Sequence, residues 1–595
     1  MNYEFDEYLN TLVYDVEVFK YNSMVVFKNL EGETVRVFSS SLDGLGEYID
    51  KGVIKGQGYE DLEEFLKGKI LIGYNNYHYD DYILYAMTQV KDGGFDHSVL
   101  KEWNDNIIGD GTKVNMKKID NRTLDVYQQI DISRPGLKKV EGNMGLSIVE
   151  SSVPFDIDRP LKPSENLETL KYCEYDVLST LKVYNMRGEY FSSKKAIVGM
   201  IEDESLQDRA YKWNTTSIVG QLLRPKKSLS RGMHVDEDLL ANVDSEVLDM
   251  WSELYTTIDF KFKKRKVVKE EFGNVLEFGW GGLHGAPRGF VQEDNVKLMD
   301  VNSMYPNILI NLNGLTDKTD EYKRILNYRL KLKAEGKKAE QAPYKLILNS
   351  TYGLLNNQYS QLNNPHLAFS ICINGQIAVY TLAKRLANIG ARIININTDG
   401  VAYSINNNHD LKVKEDWEKE FNLNLSVDYF KKWIQKDVNN YIALTNDGKI
   451  KVKGADVNKY HDNRYFANND IRITHIALVD YLVNDIPVYE SVTNHLDEPI
   501  LYQYILQAGS TYKGVVKADS PDVLLDTKIN RVFACKGEGI EIVKKRQDDG
   551  LVKFADAPDR MYLYNGDLNE FKEFKDIVDI QWYYDLIVKN LKRWQ

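Results

Sequence analysis

The stretch KLMDVNSMYPNILI, residues 297–310, decides the fold, because it begins as an apolar strand and breaks at a Tyr-Pro pair. Proline cannot donate to a strand ladder, so the pair predicts where the strand ends. Asp300 lies near that end, and Tyr305 follows it. The segment therefore predicts a strand that presents one carboxylate, a candidate metal ligand, and one aromatic ring at its end.

A helical pattern lies downstream of this strand. In YKLILNSTYGLLNN, residues 344–357, Lys345, Asn349 and Tyr352 are spaced i, i+4 and i+7. That spacing places all three on one helix face. A second helix is predicted over residues 320–336, where the helical pattern ends at a glycine.

A hairpin is predicted in ARIININTDGVAYSI, residues 391–405. Apolar residues flank an Asp-Gly pair, which favours a tight turn between two strands. The turn is expected near Asp399 and Gly400. Asp399 is therefore a second candidate metal ligand.

Another group of acidic residues lies nearer the N-terminus. Asp15 and Glu17 are two apart on an apolar strand, so their side chains point to one face. Asp80 follows a second apolar run. Tyr172 and Asp176 are four apart on a helical pattern, which places them over one helix face.

Carboxylates that cluster at a buried edge are costly unless a positive charge lies between them. Hard oxygen ligands favour Mg²⁺ or Mn²⁺ as that charge. For Asp15 and Glu17 taken alone, a solvent-facing strand edge is the competing interpretation. Their combination with the later acidic motifs, in this order along the chain, favours a metal site.

The segments around Asp300, Lys345 and Asp399 resemble motifs A, B and C of family B DNA polymerases, written DxxSLYPS, KxxxNSxYG and DTDS. The resemblance implies an α/β multi-domain fold with a right-hand polymerase: a palm with an antiparallel sheet, short helical fingers and a thumb. It implies template-directed DNA synthesis from deoxynucleoside triphosphates. It also implies two Mg²⁺ or Mn²⁺ ions held by Asp300, Asp399 and the backbone carbonyl of Val301.

The same resemblance implies contacts to the incoming nucleotide. Tyr305 would stack under the sugar and leave no room for a 2′-hydroxyl. Arg329 and Lys333, four residues apart, resemble the RxxxK pair of the fingers, although an ordinary basic helix surface is the alternative. The residues implied to bind the nucleotide are Tyr305, Arg329, Lys333, Lys345, Asn349, Tyr352 and Gly353.

The N-terminal acidic residues resemble the motifs DxE, Nx(2–3)(F/Y)D and YxxxD of the DnaQ-like proofreading domain of family B polymerases, which has an RNase H-like fold. The resemblance implies a 3′→5′ exonuclease with a second two-metal centre. Its implied catalytic residues are Asp15, Glu17, Asp80, Tyr172 and Asp176. The four carboxylates would hold the metal ions, and the tyrosine would orient the attacking water. We choose Asp80 over Asp81 because Asp80 has the expected spacing from Asn76.

Several segments resemble DNA-contacting elements of the family. Residues 122–130 and 136–146 resemble the (S/T)Lxxh and Kxxh elements of small phage family B polymerases, with ordinary core and surface helix as the alternative. Residues 278–285 resemble the YxGG loop, and residues 439–454 resemble the KxY hairpin. The residues implied to contact DNA are Asn76, Tyr79, Thr123, Leu124, Lys138, Lys139, Gly281, Gly282, Thr398, Tyr441, Lys451 and Lys453.

The sequence departs from the family pattern in motif A, where Met304 and Asn307 replace the leucine and the last serine, and at three further positions. Asn397 replaces the first aspartate of motif C, Gly400 replaces its last serine, and Asn439 replaces the lysine of the KxY hairpin. Because Asp399 keeps the second carboxylate, we expect polymerase activity to survive. Lysines on the following strand are expected to supply the missing charge to primer phosphates. An exonuclease with a degenerate polymerase site is the alternative that Asn397 raises.

Two insertions of small protein-primed phage polymerases lie between motifs A and B and between motifs B and C. The stretches Asp300 to Lys345 and Lys345 to Asp399 are too short to hold either at full length. We therefore expect a compact replicative polymerase of a phage or mobile element that is not primed by a protein. Its unaided processivity and strand displacement are expected to be modest.

At 595 residues the chain is too long for one hydrophobic core, so several domains are expected. The resemblance places their boundaries. They are 1–200 for the exonuclease, 201–270 for a linker and N-terminal palm extension, 271–312 for palm with the YxGG-like loop and motif A, 313–356 for fingers with motif B, 357–454 for palm with motif C and the KxY-like hairpin, and 455–595 for the thumb and C-terminal extension.

Composition sets further limits. A net charge of −12 disfavours a simple basic DNA-binding module, although lysines cluster locally, as in residues 261–269. Three dispersed cysteines disfavour a disulfide framework or a cysteine zinc site. No apolar run reaches the roughly 18 residues of a membrane span, and the N-terminus lacks a basic signal region.

These limits favour a cytoplasmic protein, in the host cytoplasm if a phage encodes it, with no membrane partner. We expect a monomer that binds primer-template DNA and deoxynucleoside triphosphates. A primase, a helicase and a single-strand binding protein are the candidate accessory partners. A DNA-binding or capsid-packaged structural protein on an inherited fold is the non-enzyme alternative, and the cost of unused buried acids argues against it.

Overall fold

The computed structural model describes residues 7–89, 97–109, 111–113, 115–130, 133–230, 232, 237–241, 243–258, 265–461 and 471–594. The chain divides into two compact units. The first unit contains Met1–Asn214 and Tyr502–Val578. The second contains Thr215–Asn463, Ile471–Leu501 and Asp579–Gln595.

A five-stranded sheet forms the centre of the first unit, in the order β3-β2-β1-β4-β5. Its strands are β1 (Thr11–Val18), β2 (Ser23–Lys28), β3 (Thr34–Ser39), β4 (Ile70–Gly73) and β5 (Arg122–Asp125). β1, β2 and β3 form an antiparallel meander, and β1 is the apolar strand predicted to carry Asp15 and Glu17, while β4 is parallel to β1 and to β5.

Helices cover both faces of this sheet, so alternate residues of β1 enter two different cores. Val13 packs into one core, and Leu12, Tyr14 and Val16 pack into the other. Because side chains alternate along a strand, Asp15 and Glu17 lie on the same face as Val13. The helices of this unit are Gly46–Asp50, Leu62–Leu66, Asp80–Thr88, His97–Gly109, Leu137–Asn143, Pro163–Met186, Gly188–Val198, Glu204–Ala210 and Phe574–Ile577.

The helix Pro163–Met186 packs against the face of β1 that carries the acidic residues. It starts with proline, which fits the first helical position because that residue has no intrahelical N–H partner. The carboxylate of Glu165 accepts a hydrogen bond from the backbone N–H of Lys162 at 2.8 Å, which satisfies one free donor at the helix start. Leu170, Cys173 and Val177 then enter the same core as Val13.

Residues Tyr502–Val578 form two small sheets of the first unit, in the orders β15-β18-β21 and β17-β16-β19-β20. Their strands are β15 (Tyr504–Gln507), β16 (Tyr512–Lys517), β17 (Ser520–Leu524), β18 (Ile529–Ala534), β19 (Ile542–Arg546), β20 (Leu551–Lys553) and β21 (Met561–Leu563). We call this segment the C-terminal module. The prediction of one continuous thumb and C-terminal extension over 455–595 differs from this arrangement, because apolar contacts join the module to the first unit.

A nine-stranded sheet forms the second unit, in the order β14-β13-β12-β9-β11-β10-β8-β7-β6. The strands are β6 (Lys266–Glu271), β7 (Asn274–Gly279), β8 (His284–Ala286), β9 (Val291–Val301), β10 (Arg392–Asn397), β11 (Gly400–Ser404), β12 (Leu425–Asp437), β13 (Asn440–Thr445) and β14 (Ile450–Lys453). All eight neighbouring pairs are antiparallel. The predicted hairpin is confirmed as β10 and β11.

The helices of the second unit are Thr215–Leu222, Glu237–Leu240, Ser245–Thr257, Met304–Asn311, Thr319–Ala334, Lys338–Leu355, Pro365–Asn388, Asp410–Phe421, Arg472–Asn484, Val488–Asn494 and Ile580–Leu591. Thr319–Ala334 and Lys338–Leu355 confirm the two helices predicted between motifs A and B. Pro365–Asn388 is the one helix in the described part of the chain that is long and apolar enough to cross a membrane, and 89% of its apolar window is buried inside the protein. Such burial is typical of a core helix.

Candidate active sites

A cavity of about 300 Å³ in the second unit gathers residues from segments far apart in the sequence. It is lined by Asp300, Val301, Asn302, Ser303, Met304, Tyr305, Pro306, Arg329, Leu330, Lys333, Asn349, Thr398 and Asp399. Of the ten residues predicted to bind the metal ions or the nucleotide at this site, seven line the cavity. The other three are Lys345, Tyr352 and Gly353. The structure thus brings the end of β9, the two helices that follow and the β10–β11 turn to one place.

Backbone pairing fixes the two acidic residues of this cavity. Asp300 lies opposite Gly400 in the antiparallel register of β9 and β11. The backbone N–H of Val301 donates to the carbonyl oxygen of Asp399 at 2.7 Å. Thr398 takes a positive φ of 56°, which lets the chain reverse between β10 and β11. Because sheet and turn are both hydrogen-bonded, the two carboxylates are held at one edge.

The acidic pair is electrostatically unfavourable without a cation. Burial and then the charges of Asp399 and Asp428 raise the pKa of Asp300 to about 7, although Lys333 and Lys451 oppose the shift. Burial also raises the pKa of Asp399, and Lys453 opposes that shift. A neighbouring divalent cation would favour both anions. Two carboxylates and a nearby backbone carbonyl are oxygen donors of the kind that Mg²⁺ prefers.

Lys453 is the lysine that interacts with both acidic residues. Burial lowers the pKa of Lys453, and the charges of Asp399 and Asp300 raise it. It is paired with Tyr441 across β13 and β14, and its Nζ lies 6.0 Å from the centroid of that tyrosine ring. Lys451, predicted for the same task, forms an exposed ion pair with Asp428 at 2.8 Å. Lys453 is therefore the better placed of the two to meet a phosphate near the acidic pair.

Tyr305 is supported by a second ring from the predicted nucleotide-binding helix. The centroids of Tyr305 and Tyr352 are 4.7 Å apart. The hydroxyl of Tyr352 lies 2.7 Å from Sγ of Cys372, a buried residue that the sequence analysis missed. Burial raises the pKa of Tyr305 and of Tyr352, so both stay neutral rings. On the opposite wall Arg329 donates to Oγ of Ser303 at 2.9 Å.

Two departures from the family pattern lie side by side. The side-chain amide of Asn397 donates to the carbonyl oxygen of Val438 at 2.9 Å and to Oδ1 of Asn439 at 3.0 Å. Asn397 is not among the residues that line the cavity. A neutral amide pair thus stands where the family pattern has a carboxylate and an ammonium, and sequence spacing alone could not show that the two positions touch.

The glycine-rich loop packs against the β10–β11 turn. A Cβ added to Gly282 would lie 2.6 Å from Oγ1 and 2.7 Å from Cα of Thr398. Gln376, buried in the core helix and missed by the sequence analysis, donates to the carbonyl oxygens of Gly279 at 2.8 Å and Gly281 at 2.9 Å. The structure therefore gives Gly282 a packing role in place of the predicted approach to template phosphates. Gly281 has open space beside it and a φ of 122°.

The first unit brings its four predicted carboxylates together. Burial and then the charge of Asp176 raise the pKa of Asp15 to about 8. Burial and then the charges of Asp15 and Asp176 raise the pKa of Glu17. Burial and then the charges of Asp15 and Asp81 raise the pKa of Asp80. Each acid is therefore close enough to another to oppose its ionisation, which is the condition that a divalent cation relieves.

Cys173 joins this acidic cluster and was missed by the sequence analysis. One ligand atom from each of Asp15, Glu17 and Cys173 lies within 4.8 Å of the others. The thiol donates to the backbone carbonyl of Asp15 at 3.4 Å and to its Oδ2 at 3.6 Å. Its position three residues before Asp176 was the available hint, because residues three apart on a helix lie on one face.

Lys138, and not Lys139, reaches the cluster. Its Nζ donates to Oδ1 of Asp176 and lies 3.4 Å from Oε1 of Glu141. It also lies 4.4 Å from the centroid of the Tyr172 ring. Burial alone would lower the pKa of Lys138, but Asp176 and Glu141 raise it overall. Glu141, another buried acid that the sequence analysis missed, has its pKa raised by burial to about 8.

Asp81 has a structural role, in agreement with the choice of Asp80. Its carboxylate accepts hydrogen bonds from Tyr14 at 2.6 Å, Asn76 at 2.9 Å and Thr123 at 3.1 Å. Asn76 and Thr123 are 0% exposed. The predicted DNA contacts of these two residues are therefore corrected: both hold Asp81 inside the core.

Two other predicted DNA contacts are also engaged within the first unit. The hydroxyl of Tyr79 donates to Oδ1 of Asn104 at 2.7 Å. Leu124 packs against the core on the Val13 side of the sheet. Sequence motifs gave their positions along the chain, but not which side of a strand or helix faces the interior.

No family model matches the chain. It is 23% identical over 254 residues to DNA polymerase 1 of Sulfolobus acidocaldarius, which is 42% of this chain and 27% of that protein. It is 24% identical over 226 residues to DNA polymerase 1 of Saccharolobus solfataricus, covering 37% and 23% of the two chains. It is 21% identical over 369 residues to DNA polymerase 2 of Aeropyrum pernix, covering 52% and 44%.

These alignments span less than half the length of each curated relative. Among solved structures, the family B DNA polymerase from the hyperthermophilic archaeon Pyrobaculum calidifontis aligns with 98% of this chain and 77% of its own, at 13% identity and a TM-score of 0.43. The chain is therefore similar in sequence to archaeal DNA polymerases over part of its length.

We predict that Asn397→Ala leaves template extension within about fivefold of the wild-type rate. The variant removes hydrogen bonds to Val438 and Asn439, each worth about 1 kcal/mol, and a long one of 3.5 Å from Thr398, but Asn397 itself does not line the cavity. Steady-state extension of a primed template measures the effect, with Asp399→Ala as the matched comparison. A loss as large as that of Asp399→Ala would place Asn397 among the essential residues.

We predict that Gly282→Ala lowers template extension by about a hundredfold, because the new Cβ would displace the backbone of Thr398 and with it the neighbouring Asp399. Extension rates would be compared with those of Gly220→Ala, a helical glycine of the same unit with open space beside it. Equal rates for the two variants would show that the loop does not fix the turn.

Proposed function

We propose that the second unit catalyses template-directed DNA synthesis from deoxynucleoside triphosphates, as a DNA-directed DNA polymerase of family B. The observation that carries the proposal is the cavity that Asp300 and Asp399 line together with Arg329, Lys333 and Asn349. Acids and cations that line one cavity suit a metal-bound triphosphate. Partial sequence similarity to archaeal DNA polymerases supports the same reaction.

In this proposal Asp300, Asp399 and the carbonyl of Val301 hold two Mg²⁺ or Mn²⁺ ions. Bound there, the metal would supply electrostatic stabilisation of the charge that develops during phosphoryl transfer. Arg329 and Lys333 bind the β- and γ-phosphates of the nucleotide. The chain's own residues would then contribute to catalysis by positioning the substrates and by complementing their charge, without forming a covalent intermediate.

Aromatic and basic side chains would hold the incoming nucleotide and the primer terminus. Tyr305, braced by Tyr352, lies under the deoxyribose and excludes a 2′-hydroxyl. Lys453 and Tyr441 bind the primer terminus, with Lys453 in the role that Asn439 cannot fill. Supporting this, Lys453 interacts with both Asp300 and Asp399 while remaining partly exposed.

We propose that the first unit is a 3′→5′ exonuclease that proofreads the product. Asp15, Glu17, Asp80 and Asp176 would hold its metal ions, and the hydroxyl of Tyr172 would orient the attacking water. The clustering of four acids beside Lys138, three of them buried and Asp15 half-buried, supports this role, because so many acids with one lysine are costly to bury. Lys138 would then contact the scissile phosphate.

As its biological setting we propose replication of a phage or mobile element in the cytoplasm by a monomeric enzyme primed by a nucleic acid. The short spacings between the three polymerase motifs support this, because the protein-priming insertions do not fit within them. A primase, a helicase or a single-strand binding protein are the accessory partners that such an enzyme would use.

We predict that the two activities separate by mutation. Asp399→Ala should lower primer extension at least about a hundredfold while nuclease activity stays unchanged, because a lost metal ligand removes several kcal/mol of transition-state stabilisation. Asp15→Ala with Glu17→Ala should do the reverse. Both activities would be measured on one primer-template with a labelled 5′ end. Loss of both activities in either variant contradicts the assignment of two sites, and absent extension in the wild type favours a degenerate polymerase site.

We predict that Tyr305→Ala raises ribonucleotide incorporation relative to deoxynucleotide incorporation by about ten- to a hundredfold, because relief of a steric clash is worth about 1–3 kcal/mol. The ratio of kcat/KM values for the two triphosphates measures the effect. Tyr359→Ala, at a tyrosine that is 87% exposed and outside the cavity, is the control. Unchanged sugar discrimination in Tyr305→Ala would remove the proposed role of that ring.

A further inference from the structure

Arg531 of the C-terminal module is buried, and among the described residues no carboxylate forms an ion pair with it, although the charge of Asp567 favours its charged form. It lies on β18 and is 0% exposed. Its Nε donates to Oε1 of Gln503 at 2.9 Å, its Nη1 to the carbonyl oxygen of Gly566 at 2.6 Å, and its Nη2 to the carbonyl oxygens of Gly142 at 3.0 Å and Leu146 at 2.6 Å. A buried charge held by neutral acceptors alone needs this complete set of hydrogen bonds to be tolerated.

Outside its own module Arg531 reaches one carbonyl in the last turn of the helix Leu137–Asn143, that of Gly142, and one in the turn that follows, that of Leu146. The last carbonyl groups of a helix lack intrahelical partners and carry partial negative charge, so a guanidinium at that end is favourable. Gln503, itself bound to Arg531, donates from Nε2 to the carbonyl oxygen of Asn143 at 2.9 Å. The C-terminal module therefore binds this helix end through two linked side chains.

Backbone and apolar contacts continue the same attachment. The backbone N–H of Ile148 donates to the carbonyl oxygen of Asn565 at 2.7 Å, and that of Leu568 donates to the carbonyl oxygen of Gly145 at 2.9 Å. A Cβ added to Gly142 would lie 3.2 Å from Cδ1 of Ile505, so β15 packs directly against the helix. The module thus leaves the helix little freedom to shift.

The same short helix carries Lys138 and Glu141 into the acidic cluster. Lys138 donates to Asp176 there, and it lies beside the Tyr172 ring. Only seven residues make up the helix, which cannot hold its own geometry without tertiary support. Whatever fixes its C-terminal end therefore also fixes Lys138.

We propose that the C-terminal module is a positioning element of the nuclease site, and that Arg531 is its positioning residue, which acts through the helix Leu137–Asn143 to hold Lys138 against Asp176. This inference rests on the proposed exonuclease function only for its catalytic consequence. The placement of Lys138 is a separate, measurable property of the molecule.

The placement is tested first, by competitive acylation of lysines followed by mass spectrometry. In Arg531→Met, which keeps side-chain bulk and removes every donor, acylation of Lys138 is expected to rise at least about threefold relative to Lys20, an exposed lysine of the same unit. Arg531→Lys should give a smaller rise. Arg546→Met, at an exposed arginine of the same module, is the matched control and should give none. Unchanged acylation of Lys138 in Arg531→Met overturns the proposal.

The catalytic consequence is tested on the same full-length preparations. Nuclease kcat on single-stranded DNA should fall about ten- to a hundredfold in Arg531→Met, while template extension stays at the wild-type rate. In a Lys138→Met background, Arg531→Met should add less than about threefold, because its effect passes through Lys138. If the losses of nuclease kcat in the two single variants multiply fully in the double variant, Arg531 does not act through Lys138, and that part of the proposal is overturned. A wild-type chain without nuclease activity but with the expected acylation change would refute the proposed exonuclease and leave the positioning role intact.

Should Arg531→Met unfold the first unit, as judged by proteolysis, Gln503→Met takes its place. That variant removes the bond to the carbonyl oxygen of Asn143 and one acceptor of Arg531 but keeps the guanidinium. It should raise Lys138 acylation about twofold and lower nuclease kcat in proportion. A folded Gln503→Met chain with unchanged Lys138 acylation contradicts the proposal.

Discussion

Mutual repulsion between buried carboxylates is the constraint on which both units depend. Burial and a neighbouring acid raise the pKa of Asp15 to about 8 in the first unit and that of Asp300 to about 7 in the second. Each unit offsets part of this cost with a lysine, Lys138 or Lys453. Other interactions of the fold must offset the remaining free-energy cost of this repulsion. A site whose carboxylates oppose folding in this way is complementary to a divalent cation.

Rigid backbone makes such clusters possible, because the acids must be held where they repel one another. β9 lies between β11 and β12 and is paired on both sides, so Asp300 cannot slip by one residue without turning to the other face. β1 is likewise paired with β2 and β4, and cores cover both of its faces. The carboxylates therefore sit on the most constrained strand of each unit.

The sequence could predict features that depend on local spacing, and it could not predict those that depend on contacts between distant segments. Strand alternation and helical spacing placed Asp15, Asp176 and Asp300 correctly, because those periodicities are local. The roles of Thr123 and Arg531 depend on which distant segment packs against them, and no local pattern encodes that choice. The division of the C-terminal region between the units was missed for the same reason: its attachment to the first unit is made by tertiary contacts alone.

Asn397 and Asn439, which both depart from the family pattern, contact each other. Loss of one member of a charged pair leaves the other uncompensated, whereas exchange of both for amides that bond to each other is close to neutral. Their hydrogen bond thus makes the two departures one compensated change. A decaying site would lose residues without such matching, and it would not keep Asp300 and Asp399 in one cavity with Arg329 and Lys333. The paired change therefore favours the proposed polymerase site over the degenerate alternative.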